Sequence, residues 1–186
     1  MKTHDTQAVH PELAEMNLPV EEEAQAHKAR YFMAITRIAL GWVFLWAFLD
    51  KTFGLTFATE RGDAWINGGS PTFGYLTFAT EASPFHGLFT SITGPVADWA
   101  FMIGLLGIGL ALMLGIGMRI AAGAGALMLV LMWVAALPLA NNPFMDDHLV
   151  YALVLGALAV FGAGRTWGIG RIWEKLPIVQ RFPILK

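Results

Sequence analysis

The chain contains no cysteine, and that one absence removes disulfides, thiol nucleophiles, thiolate zinc sites and iron–sulfur ligation together. Charge is scarce too: Asp, Glu, Lys and Arg make up 14% of 186 residues, against about 25% in an ordinary soluble domain. None of the five histidines falls inside a long apolar run, so no facing pair is placed to hold a haem within a membrane. Phosphate-cradling glycine motifs, a nucleophile elbow and carboxylates at metal-binding spacing are also missing. The net charge of −2 offers no electrostatic footprint for nucleic acid. A complete enzyme, an intrinsic metal site and a nucleic-acid partner are therefore not expected.

What the chain does have is apolar length. Hydrophobic residues make up 56% of it, gathered in charge-free runs rather than in the periodic stripes of a soluble helical core. The stretch RIALGWVFLWAFLDK, residues 37–51, holds an unbroken apolar run bracketed by Arg37 and Asp50-Lys51. A crossing needs about 20 residues at 1.5 Å each, which places a first span over about 31–51. Charge-free runs place further spans over about 98–118, 120–140 and 147–164, the second and third forming a tight hairpin around Arg119. Gly107, Ala111 and Gly115 on one, and Ala121 and Gly125 on the other, have the small-residue spacing that lets helices approach closely in lipid.

The fold class expected is all-α: an integral membrane four-helix bundle. Residues 1–30 read as a polar tail, with 21–30 as a short helix feeding the first span, and 31–164 as the membrane domain. Residues 165–186 read as a basic interfacial tail rich in Trp, Lys and Arg. A long loop, 52–97, joins the first two spans. It carries the turn signal Asn67-Gly68-Gly69-Ser70-Pro71 and a helix start at Ser83-Pro84, after which Phe85, Leu88, Phe89 and Ile92 share a face. The hexapeptide LTFATE occurs twice, at 55–60 and 76–81, and predicts a pair of similar turns or a coincidence. With both termini inside, ten Lys and Arg face the cytoplasm and only Lys51 and Arg61 lie outside, which is the positive-inside arrangement of a bacterial-type inner membrane.

That topology brings Asp50, Lys51, Asp98, Asp146, Asp147 and His148 to one outer interface. Helix capping and dipole compensation account for acids at such positions. The functional alternative assigns proton handling to His148 and Asp147, since an imidazole beside carboxylates titrates near neutrality, and an anion-facing role to Lys51. Arg37, inside the lipid boundary, is costly unless paired or snorkelled. It reads equally as an anchor to inner phosphates and as a contact to a headgroup, a quinone or a partner subunit. Trp42, Trp46 and Asp50 recur every four residues and form either a packing stripe or a lining for a flat ring.

Arg37, Gly41, Phe44 and Lys51 have the spacing R-x3-G-x2-F-x6-K, and with GWVFLWAFLDKTFGLTFAT, WINGGSPTFGYL, DWAFMIGLLGIGLALMLGIGMRIAA and NPFMDDHLVYALVL the chain from 37 onward resembles the DoxX/DoxD-like family. Phe48 stands where the broader family often has glycine. The resemblance implies a four-helix membrane protein and, through the small subunit of a thiosulfate:quinone oxidoreductase, a quinone-linked redox role. The expectation is a membrane subunit of a quinone-linked oxidoreductase or respiratory assembly, working with other redox subunits in the bilayer. Its ligand candidates are Arg37, Trp42, Trp46, Asp50 and Asp98. A non-enzymatic structural or assembly subunit is the alternative. A solute carrier is weaker, because the second and third spans are neither broken nor charged.

Overall fold

The computed structural model describes residues 20–186, with side chains from residue 22 onward. The earlier part of the polar tail, with Lys2, Pro11 and Pro19, lies outside the described residues. Every regular element among the described residues is helical. Helix α1 (Val20–Phe53) runs unbroken for 34 residues, so the short feeder helix expected over 21–30 is continuous with the first span. No proline interrupts it, and residues 24–30 are mostly strong helix formers. It stops at Gly54, whose φ of +62° suits glycine, and a Cβ there would come within 2.7 Å of Arg61 Cα and Glu60 O.

Helix α2 (His86–Ser91) belongs to the loop. Helix α3 (Pro95–Leu114) starts with a first-turn proline, and α4 (Met118–Ala135) follows after Gly115-Ile116-Gly117. Both glycines are left-handed, with φ of +75° and +57°. The hairpin therefore turns at these glycines rather than at Arg119, which lies in the first turn of α4, because only residues tolerant of positive φ can reverse the chain so tightly. Helix α4 ends at Ala135, three residues before Pro138, where proline forbids continuation. Helix α5 (Asp147–Val160) has 14 residues, then the chain forms the short helices α6 (Gly170–Trp173) and α7 (Pro177–Arg181).

Helices α1, α3 and α4 are long and apolar enough to cross a membrane, and α5 is apolar but shorter. Helix α1 packs along α3, α4 along α5, and α3 against α4. Leu40, Phe44, Met102, Leu105, Leu112 and Leu155 form much of the shared core. Close approach of α1 and α3 occurs at Gly41 and Gly109: a Cβ on the first would sit 2.9 Å from Leu112 Cβ, and one on the second 2.9 Å from the Leu45 backbone nitrogen. Gly107, on the stripe expected from sequence, faces open space, whereas Gly125 is buried against Leu155.

These contacts define two ends. Arg37, the Gly115–Gly117 turn and the chain beyond α5 make a glycine-turn end. At the loop end, residues 54–94 fold over the helix tips. Trp65 meets Trp99 edge-on with ring centres 4.6 Å apart, and the Tyr75 hydroxyl donates to the Met132 carbonyl at 3.0 Å. The two LTFATE copies differ in structure. The first bends around Asp50, while the second enters a single π turn over Tyr75–Ala79, so the repeat does not encode a repeated turn.

Candidate functional site

At the loop end each buried carboxylate is tied to the chain that covers it. Asp50, at the last turns of α1, is 2% exposed and accepts from the backbone nitrogens of Phe57 at 3.3 Å and Ala58 at 2.9 Å. Asp98, in the first turn of α3, accepts from Ser70 Oγ at 2.8 Å, Thr72 Oγ1 at 2.6 Å and Thr72 N at 3.1 Å. Such charge-assisted bonds are stronger than neutral ones. Asp146 caps α5 through the Leu149 nitrogen at 3.2 Å. Its other oxygen lies 2.7 Å from His148 Nδ1, and the largely exposed Asp147 is 3.5 Å from the same nitrogen. Donor atoms of Asp146, Asp147 and His148 all lie within 4.8 Å of one another, but both oxygens of Asp146 are already engaged in the cap and the imidazole contact.

Between α3, α4 and the loop is a cavity of about 550 Å³, within the roughly 300–1,000 Å³ of small-molecule sites. Its α3 wall combines the small residues Ala97, Ala100 and Gly104 with Phe101 and Ile108, and its α4 wall includes Ala124, Leu127 and Leu131. Thr72, Tyr75, Phe89 and Ile92 roof it. Leu127, Leu131 and Ile92 each remain more than half exposed, so the rim opens sideways from the bundle. Lys51 is the single charged residue in the lining, and it makes no hydrogen bond or ion pair within 4 Å among the described residues. Tyr75 is the other strong polar group. Burial, followed by the charges of Asp146 and Asp147, pushes its phenol up to about 12, so it stays neutral and able to donate.

Arg37 sits at the opposite end and is completely buried. Its guanidinium donates to the carbonyls of Leu112 at 2.5 Å and Met113 at 3.2 Å, and to those of Thr166 at 3.2 Å and Trp167 at 2.8 Å. The first pair belongs to the last turn of α3, whose carbonyls carry the negative end of the helix dipole. Nε is the one buried side-chain polar atom without a partner among the described residues. The rings of Trp42 and Trp46 lie tilted at 37° with centres 5.7 Å apart, and Trp46 meets Phe57 edge-on at 5.1 Å. Trp42 is about half exposed while Asp50 is buried, because a four-residue step drifts about 40° around a helix of 3.6 residues per turn and eight residues carry the stripe from the outside to the inside.

The structure thus gathers Asp50, Lys51, Asp98, Asp147 and His148 at one end and leaves Arg37 at the other. Sequence reasoning did not single out Tyr75, Thr72 or the Ala97-Ala100-Gly104 wall. The wall had a readable signal, since its residues are small at helical spacing, but so are many others on α3. Comparison with protein-family models, with curated proteins and with solved structures finds no match to this chain.

Proposed function

We propose that this chain is a membrane subunit of a quinone-linked oxidoreductase or respiratory assembly, and that the cavity beneath the loop is where it holds the quinone. The observation that carries this reading is a largely apolar, sideways-opening chamber whose one charged lining residue, Lys51, has no ion-pair partner among the described residues. A quinone has a flat ring, an isoprenoid tail and acceptor oxygens. Aliphatic walls suit the first two, and an ammonium and a phenol hydroxyl suit the third. Reduction to the quinol consumes two electrons and two protons. The chain has no cysteine and no histidine inside a charge-free apolar run, so in this reading a partner subunit carrying the redox centre supplies the electrons. His148, in contact with Asp146 and Asp147, is the group to which this reading assigns the passing of protons.

The same reading takes α5 as a fourth crossing. Its 14 residues span about 21 Å, less than the ~30 Å hydrocarbon core, and a short span is accommodated by local thinning of the bilayer. Arg119, Arg165, Arg171, Lys175 and Arg181 then share the cytoplasmic side with Lys28, Arg30 and Arg37. Lys51 and Arg61 are left outside, in a bacterial-type inner membrane.

The test is to isolate the protein from its own membrane and measure co-extracted quinone in wild type and in Ala100→Trp, which fills the cavity. Quinone present in the first and lost from the second supports the reading; equal content in both removes the cavity from it. The alternative, a structural or assembly subunit, is favoured by the outward Trp42, Val43 and Ile35, an apolar face near mid-span. Tryptophan otherwise prefers the membrane interface.

A further inference from the structure

The chain beyond α5 is fastened to the bundle rather than hanging from it. Arg37 holds the carbonyls of Thr166 and Trp167, and Ile169 N donates to the Leu114 carbonyl at 2.9 Å. Gly164 and Gly170 lie so close to the α3–α4 turn that a Cβ on either would approach the Gly115 oxygen within 2.5 Å. Val179 is fully buried. Farther on, Trp173 Nε1 donates to the Leu185 carbonyl at 2.5 Å, and Arg119 Nη1 to that of Pro183 at 2.9 Å. The result is a rigid plate across the glycine-turn end.

The exposed side of this plate combines two chemistries that seldom share a water-facing surface. Ile172, Ile178 and Ile184 are each more than half exposed. Arg171, Lys175 and Arg181 are exposed between them. Glu174 is the one acid in the segment, and Arg165 occupies it at 3.0 Å, which raises the Arg165 guanidinium further through that bond and charge. The other three cations form no ion pair among the described residues. A water-facing surface gains nothing from so many isoleucines. A protein partner of matching charge would have to cover cations and aliphatics alternately, whereas a leaflet presents phosphates at the surface and acyl chains just beneath them.

We infer that residues 166–184 form a preassembled seat for anionic phospholipids, in which Arg171, Lys175 and Arg181 donate to headgroup phosphates while the isoleucines enter the upper acyl region. This is more specific than a general excess of positive charge on one side, because a fixed plate with alternating groups retains lipid through purification. It rests on the membrane-spanning reading but not on the quinone.

The experiment is native mass spectrometry of the detergent-solubilised full chain extracted from a mixture of phosphatidylglycerol and phosphatidylcholine. Wild type is expected to retain the anionic lipid selectively. The triple variant Arg171→Gln, Lys175→Gln, Arg181→Gln, whose sites are all exposed and leave the fold intact, is expected to lose at least tenfold, since each charge near a membrane surface contributes roughly fivefold. The control Arg61→Gln, at an exposed cation of the opposite, loop end, is expected to behave as wild type. No selectivity in wild type, or an equal loss in control and triple variant, overturns the inference. A chain that is soluble without detergent overturns the membrane reading instead, which the lipid-selectivity outcomes leave standing.

Discussion

Arg37 Nη2 donates to the Trp167 carbonyl across 2.8 Å, joining residues 130 positions apart with no carboxylate between them. One guanidinium satisfies both the end of α3 and the segment that closes the bundle beneath it, using the planar fork of donors that distinguishes arginine from lysine. A positive charge surrounded by carbonyl oxygens at a helix C-terminus is compensated by oriented dipoles rather than by a counterion.

Replacing Arg37 with alanine therefore strands four carbonyls in a buried place. Stranded buried acceptors cost about 1–3 kcal/mol each when unrelieved; three of the four bonds are only part-buried, so water relieves some of this and a total loss of about 3–5 kcal/mol is expected, in line with breaking other buried charged contacts. Arg37→Lys keeps the charge but cannot reach both carbonyl pairs, and should recover less than half. Thermal unfolding in detergent checks the magnitude. Proteolysis checks the location, since cleavage should rise first within 163–186.

Asp98 is the corresponding tie at the other end, accepting three bonds from Ser70 and Thr72. Asp98→Ala is expected to cost about 2–3 kcal/mol, with Asp98→Asn milder because its amide oxygen still accepts. The separable readout is hydrogen exchange. Residues 70–80 should lose protection in Asp98→Ala while α4 and α5 keep theirs, and a uniform loss would mean that Asp98 supports the bundle and not the loop.

The apolar helices were legible because a run such as 99–114 has no alternative use. Their ends were less so: Arg119 drew attention by its charge, but Gly115 and Gly117 make the turn because backbone conformation, not polarity, decides it. The gathering of Asp50, Lys51, Asp98 and Asp147 follows from counting antiparallel helices. What each acid binds does not, since backbone nitrogens such as that of Ala58 leave no mark in a sequence. Arg37 was recognised as costly, yet its partners are carbonyls, which every residue possesses. The cavity was hidden for a similar reason. It is where the short side chains of Ala97 and Ala100 leave space beneath a loop, and a void has no letters of its own.

Tyr75 links that loop to α4 and predicts a pH window. Its phenol is pushed up to about 12 in the folded chain, against about 10 when unfolded. The stabilising bond to the Met132 carbonyl is fully present below pH 10. Between about pH 10 and 12 the unfolded state releases the proton while the folded state keeps it, so stability falls with rising pH across that interval. Tyr75→Phe should lose about 1 kcal/mol at neutral pH for the missing bond and should flatten this part of the alkaline decline. Melting temperature followed from pH 8 to 12 in both proteins is the measurement, and parallel curves would show that Tyr75 does not titrate as described.

Lys51 separates the ligand reading from a purely architectural one. Lys51 is the one charged residue lining a chamber whose other polar groups are Thr72 and Tyr75, and it has no ion-pair partner among the described residues, so if it is purely architectural, replacing it should matter little or even help packing. A ligand-facing lysine behaves differently. Losing one charged donor to a ligand oxygen costs about 1.5–3 kcal/mol, or roughly 10-fold to 150-fold in affinity. Lys51→Met preserves the length and apolar stem, and is expected to retain the wild-type melting temperature while short-chain quinone binding, followed by equilibrium dialysis, weakens by at least tenfold. Lys51→Arg should bind at intermediate strength, since the donor survives with altered reach. If Lys51→Met binds the quinone as wild type does, the ammonium plays no part in recognition.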